Sequence, residues 1–280
     1  MASLVVSTIY FGLMGLLAGF FLLLALVFPK RFKKIKIAFA VMSVGVLLWF
    51  LVVIPVWARV SLKIAEEKKR PIREAAEKRY NEARAVFDEQ CKKAGEKIYR
   101  TVDNVDGVML LKIRQSPALH LNDPLFEDAV VAAIDNTGHD YIGTFLQGWF
   151  DPHYKGYSFV DVLNEDGSIK RYLDYKEYAS FIQDQDGVVI NPDNPARYVV
   201  TYENNVNPEL RKHWVAGTTI KIIDRQTDEL LAEKTIFAFA RTMGNYSHGA
   251  WVDSRMDTCP DMEELGRKFT AQFAMAVLKP

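Results

Sequence analysis

Two long uncharged stretches open the chain. Leu4 to Phe28 and Ile37 to Ala58 contain no Asp, Glu, Lys, Arg or His. A bilayer core of about 30 Å takes about 20 helical residues, so the pattern predicts two membrane-spanning helices, over 4–28 and 37–58. A secretory signal peptide fits the first stretch badly, because no basic residue precedes it, it is too long, and no small-residue cleavage motif follows. After Ala58 the pattern becomes that of a charged helix. Pro71 suits a first helical turn. From there Ile72, Ala76, Tyr80, Ala83, Phe87, Cys91, Ala94 and Ile98 recur at steps of three and four, one apolar stripe of an α-helix. This stripe reads as an oligomerising stalk or as an amphipathic helix lying on its own domain. Its shortness and its three alanines favour the second.

The remainder alternates differently. Gly107–Ile113 reads as a buried strand. Tyr157–Leu163 and Ser168–Asp174 flank Asn164-Glu165-Asp166-Gly167, a hairpin signal with glycine for the left-handed turn position. Arg197–Glu203 is another strand, and Thr218–Asp224 and Glu229–Ala240 flank a second turn at Arg225–Asp228. Pro260 and the acids Asp261, Glu263 and Glu264 open a terminal helix reaching Leu278, whose dipole favours acids in its first turn. Hairpin-paired strands with helices at both ends predict an α+β domain with a mainly antiparallel sheet closed by a C-terminal helix. The expected organisation is a transmembrane helical hairpin over 1–58, a charged helical stalk over 59–99 and an α+β domain over 100–280.

Charge sharpens this picture. The chain carries 35 basic and 35 acidic residues, unevenly placed. Residues 1–58 hold five basic and no acidic residues, and residues 101–280 hold 17 basic against 27 acidic. Such an acidic distal part repels phosphate and argues against nucleic-acid binding. The five basic residues, Lys30, Arg31, Lys33, Lys34 and Lys36, fall between the two apolar runs. Short basic loops stay in the cytoplasm, which puts the N-terminus and the distal domain on the other side. Arg59, Lys63, Lys68, Lys69, Arg70 and Arg73 pull the opposite way, but Glu66, Glu67 and Glu74 interrupt them. Gly12, Gly15 and Gly19 give the first run a face of small residues, read either as a helix-packing surface or as ordinary glycine usage in membrane helices.

Candidate chemistry is sparse. No H-x-x-x-H, C-x-x-C, phosphate-binding glycine loop or G-x-S-x-G occurs, so no catalytic residue, metal site or cofactor is expected. Asp151-Pro152-His153 and Gly138-His139-Asp140 set carboxylates near imidazoles, a common loop arrangement. Aromatic density is higher than the rest suggests. Tyr141, Trp149, Phe150 and Tyr154, with Trp214 and Trp251, read as strand core or as an aromatic face for a ligand or partner. The only cysteines are Cys91 and Cys259. Across a membrane they would pair in a disulfide closing a very long loop; in a reducing compartment they would be small buried hydrophobes.

The segment Cys91–Lys112, the stretch His213–Gly217 with the Ile220–Glu233 hairpin, and Asp257-Thr258-Cys259-Pro260 resemble parts of uncharacterised proteobacterial membrane-anchored proteins. The resemblance implies a bacterial host and a linked role for both cysteines, and no activity. The expected protein is an inner-membrane-anchored envelope protein with N-terminus and distal domain in the periplasm and the interhelical loop in the cytoplasm. It touches the lipid bilayer and binds an envelope protein partner or forms a homo-oligomer, without catalysis. The alternatives are a membrane-tethered enzyme on an envelope substrate, or a cytoplasm-facing sensor or phage-defence effector acting through its membrane hairpin.

Overall fold

The longest strand, Glu229–Ala240, is paired along both of its edges. The computed structural model describes residues 15–24, 26–27, 33–49, 52, 54–116, 123–148, 155–173, 188–245, 249–251, 256–261 and 269–280. They fall into two compact units, Met1–Glu77 and Lys78–Pro280. In chain order the elements are α1 (Lys33–Leu48), α2 (Ile54–Cys91), β1 (Gly95–Ile98), β2 (Gly107–Leu110), α3 (Val131–Ile134), α4 (Gly138–Gly143), β3 (Phe159–Leu163), β4 (Ile169–Tyr172), β5 (Val188–Ile190), β6 (Tyr198–Asn205), α5 (Pro208–Lys212), β7 (Val215–Asp224), β8 (Glu229–Ala240), β9 (Met256–Cys259) and α6 (Phe269–Val277).

In the first unit, residues 15–24 are helical and run antiparallel to α1. Ser43 Oγ donates to the Ala18 carbonyl at 3.1 Å, Phe21 stacks on Phe39 with centroids 6.2 Å apart, and Lys36 Nζ reaches the Leu26 carbonyl at 3.3 Å. Among the described residues no helix is long and apolar enough to cross a membrane. This overturns the transmembrane hairpin over 4–28 and 37–58. It also overturns the inner-membrane placement with periplasmic domain and cytoplasmic basic loop. In the second uncharged run α1 is described up to Leu48 and α2 from Ile54, with residues 50, 51 and 53 outside the described residues. α1 has 16 residues, about 24 Å at 1.5 Å per residue, and begins with lysines. α2 has 38 residues but is charged over most of its length. Lys33, Lys34 and Lys36 are therefore residues of the first turns of α1, not of a loop; Lys30 and Arg31 lie outside the described residues. The first run is described only from Gly15, and Gly12 lies outside.

α2 also departs from expectation at Pro71, which sits inside the helix. Pairs one turn apart line its outside: Arg70 with Glu74, Lys78 with Glu82 and Arg84 with Asp88. The apolar stripe divides along its length. Ile72 is 73% exposed, whereas Ala83 and Phe87 are buried. In the second unit Tyr80 and Phe87 lie against Phe239 of β8, with ring centroids 5.5 and 5.8 Å apart. The stripe ends at Cys91: Gly95, in a positive-φ conformation, begins a strand, so Ile98 lies on β1.

The second unit holds a nine-stranded sheet in the order β1-β8-β7-β6-β2-β3-β4-β5, with β9 also on β8. The two hairpins read from the sequence form: β3 pairs β4 and β7 pairs β8, both antiparallel. Gly167 takes φ +83° in the first turn, where the Asp166 carboxylate accepts from the Ser168 backbone N–H and hydroxyl. The sheet as a whole is mixed: six of its pairings are antiparallel and two are parallel. β2 runs parallel to both β3 and β6. Hairpin signals are local and visible in sequence. A parallel pair needs a long crossover, here residues 111–158 with α3 and α4, whose pattern carries no pairing signal. The terminal helix is described over Phe269–Val277, and residues 262–268 lie outside the described residues.

One β8 edge carries two short strands end to end. β1 pairs with Ala232–Thr235 and β9 with Phe237–Ala240. Gly95 opposes Thr235 and Cys259 opposes Phe237, so the chain ends leaving α2 and β9 meet at the middle of β8. Cys91 and Cys259 are joined there by a disulfide, with Cα atoms 5.5 Å apart. The main core lies on the sheet face carrying Val108, Leu110, Val200 and Ile220, while Met109 and Val199 form a small cluster on the opposite face.

Candidate functional site

Of the three parallel strands, β2 and β3 end together and β6 runs on past them. In α/β sheets the carboxyl ends of parallel strands open crevices where the chain leaves neighbouring strands in different directions. Here β2 leads into the helical crossover toward β3, and β6 leads through α5 to its other neighbour, β7. A cleft of about 500 Å³ opens at this place. Its walls come from the residues just after β2 (Lys112, Ile113, Gln115), the 126–128 segment, the end of β3 with Glu165, and Tyr202 and Asn204 of β6.

Behind the wall lies a buried ionic network. Arg114 follows β2 and is fully buried. Its Nη1 donates to Asp128 Oδ1 at 2.8 Å, and its Nε donates to Asp135 Oδ2 at 3.2 Å. Longer contacts run from Nη1 to Thr218 Oγ1 of β7 at 3.3 Å and Asn204 Oδ1 at 3.4 Å. The guanidinium plane sits 3.7 Å from the Tyr202 ring centroid. Each carboxylate is anchored in turn. Asp128 Oδ2 accepts from the Gln115 backbone N–H and the Tyr202 hydroxyl, which also donates to the Ile113 carbonyl. Asp135, at the end of α3, accepts from the Thr270 N–H at 3.0 Å and its hydroxyl at 2.6 Å, which ties in α6. One side chain thus fastens the exit of β2, the 126–128 segment, α3, β6, β7 and, through Asp135, α6.

The electrostatics follow from that burial. Desolvation works against the Arg114 charge, but Asp128 and Asp135 outweigh it and hold its pKa above the usual arginine value. Burial raises Asp135, more than Arg114 and the Thr270 hydrogen bonds lower it. Burial, reinforced by the Asp128 charge, also raises the Tyr202 hydroxyl. Tyr202 is therefore a neutral hydrogen-bond donor and an aromatic wall, with Lys112 Nζ 5.7 Å from its ring centroid. Asp128 is committed to Arg114. The carboxylates of Glu127 and Glu165 are the exposed acids of the cleft. The arrangement suits recognition: a stiff floor, an aromatic side and acids at the rim.

The residues read from the sequence take other places. Tyr141, Trp214 and Trp251 are buried core residues. Trp214 and Trp251 pack at 5.4 Å, Trp251 Nε1 donates to the Asp123 carbonyl, and Tyr141 meets Phe145 edge to face. Trp149, Phe150 and Tyr154 lie outside the described residues, as do His120, Asp151, Pro152, His153 and His248. His139 lies on α4, 6.5 Å from the Tyr172 ring, and His213 ends α5. Gly15 and Gly19 are exposed, with nothing within 4 Å of a Cβ built on either. The structure joins Cys91 and Cys259 and brings none of the other described candidates into the cleft. Sequence reading missed Arg114, Asp128, Asp135 and Tyr202. The one signal was a charge, Arg114, directly after the apolar run Gly107–Ile113. Among the described residues no group of three or more His, Cys, Asp or Glu is placed to hold a metal ion. No protein-family model, curated protein or solved structure matches this chain.

Proposed function

We propose that the second unit is a binding domain without catalysis, and that its cleft takes up a basic segment of a partner protein. The observation that carries this reading is the cleft at the carboxyl ends of β2, β3 and β6. Its acids Glu127 and Glu165 are exposed, while its inner acid Asp128 is already neutralised by Arg114. The acid excess of residues 101–280 supports it by favouring encounter with a cationic partner. Tyr202 adds an aromatic surface that already receives the chain's own Lys112.

Fluorescence anisotropy of the full chain with a labelled Lys/Arg-rich peptide tests it, against an acidic peptide of equal length. The basic peptide is expected to bind with an affinity that falls as salt rises. The double variant Glu127→Gln/Glu165→Gln should weaken it at least fivefold while leaving the melting temperature unchanged. Equal binding by the double variant, or no preference for the basic peptide, would refute the reading.

A further inference from the structure

Among the described residues the second unit buries two arginines, and they are treated differently. Arg114 is neutralised by two carboxylates. Arg211, on α5, is 1% exposed and makes no ion pair with any described residue. Only its Nη2 donates, to the carbonyls of Glu127 and Asn205, both at a long 3.4 Å. Its Nε and Nη1 are buried without a hydrogen-bond partner, leaving three N–H donors unspent. The Trp251 ring, 5.4 Å away, offers a cation–π contact and no hydrogen-bond acceptor. Burial pushes the guanidinium down to about 10, against the pull of Asp123 and Asp128, so it remains charged at neutral pH. An uncompensated buried charge is among the least favourable features a fold can hold. A water molecule can occupy the N–H groups but brings no countercharge.

We infer that Arg211 is the recognition cation of a second binding site, which takes an oxyanion of the carboxylate or phosphate type. The residues whose carbonyls cover it, Glu127 and Asn205, are exposed, and so are Asp123 and Leu125 nearby in sequence. An anion arriving between the 123–127 segment and the β6–α5 turn would meet unspent N–H donors and a charge with no carboxylate of the described residues in contact. The inference goes beyond the cleft reading, although Glu127 borders both places, its side chain on the cleft and its carbonyl over Arg211.

The test uses the full chain and two probes, inorganic phosphate and a short peptide with a free C-terminal carboxylate, each at ionic strength matched with chloride. At least one probe is expected to raise the melting temperature by several degrees with saturable dependence. The same probe should shift the Arg211 Nε–H resonance in a ¹⁵N-resolved NMR titration. Response to phosphate alone assigns a phosphate ligand. Response to the peptide, lost when its C-terminus is amidated, assigns a carboxylate. In Arg211→Met the saturable response should vanish while the melting temperature without probe stays equal or rises, because an unpaired buried charge has been removed. Arg211→Lys should retain a weaker response. Binding of the basic peptide should be unchanged in Arg211→Met, which separates this site from the cleft. An unmoved Nε–H resonance in the wild type with both probes, or an identical response in Arg211→Met, would overturn the inference; the NMR measurement stands even if Arg211→Met fails to fold.

Discussion

Replacing Cys91 and Cys259 by serine should remove a large part of the stability of the second unit. The disulfide joins residues 168 positions apart. On the chain-entropy treatment, closing a loop of that length restricts the unfolded chain by about 5 kcal/mol at 25 °C. For a unit of this size each kcal/mol moves the melting temperature by about 2–4 °C, so the expected fall is about 10–20 °C. The native contacts around the bridge do not replace it. Arg84 still reaches Asp257 at 2.7 Å and Phe87 still packs on Phe239, so the folded state should look the same by far-UV circular dichroism. Those contacts act on the native state in both forms, whereas the bridge acts mainly on the unfolded one. Calorimetry and urea unfolding of wild type and double variant decide the matter. The variant should also show a larger denaturant slope, because its unfolded chain exposes more surface. A fall of less than about 3 °C, with reversible unfolding and an unchanged slope, would show that the entropic argument does not apply here.

Two further outcomes follow from buried groups and close contacts. Asp128→Asn leaves Arg114 with Asp135 as its remaining countercharge in a fully buried position, and should cost about 3–5 kcal/mol in chemical denaturation; a cost below about 1 kcal/mol would mean the network is not the fastener described. Gly156→Ala puts a Cβ 2.5 Å from the Leu146 backbone, which cannot rotate away, and should destabilise by about 1–3 kcal/mol or more, a change that calorimetry reads directly.

The hairpins and the strands they join were legible in the sequence because each is a local pattern. Asn164–Gly167 and Arg225–Asp228 lie between alternating runs, and β3–β4 and β7–β8 pair across them. What was illegible was non-local. Nothing near β2 says that it pairs in parallel with β3, about fifty residues later, or with β6, further still. The cleft was missed for the same reason, since its walls converge only once that parallel trio forms. Arg114 looked like an ordinary charge ending a strand, and its partners Asp128, Asp135 and Thr218 lie up to 104 positions away. Of the two readings of the aromatic positions, core or binding face, the described ones take the first. Large rings are the cheapest way to fill a core, and Tyr141, Trp214 and Trp251 do that. The apolar opening was read by length and absence of charge alone; the structure describes its second run as the end of α1 and the start of α2, with residues 50, 51 and 53 outside the described residues.

Asp224 shows how stability should respond to acid. It is buried under Arg197, whose Nη2 reaches Oδ2 at 2.6 Å and whose Nε bridges both oxygens, with the Gln226 N–H and Arg100 adding to the pull. The hydrogen bonds from Arg197 lead, and they hold the Asp224 carboxyl below its ordinary range, against its burial. A carboxyl depressed by folding contributes stability that is fully present above its unfolded pKa of about 3.9, and loses it as the pH falls through the lower folded value. The difference in unfolding free energy between wild type and Asp224→Asn should therefore be flat from about pH 5 to 7 and shrink below about pH 4. Arg197 and Arg100 are partly exposed, so salt should reduce the plateau without moving the window. Urea denaturation at a series of pH values reads this out. A difference that stays constant down to pH 2, or that grows as the pH falls, is incompatible with an ionised Asp224 closing the β7–β8 turn against Arg197.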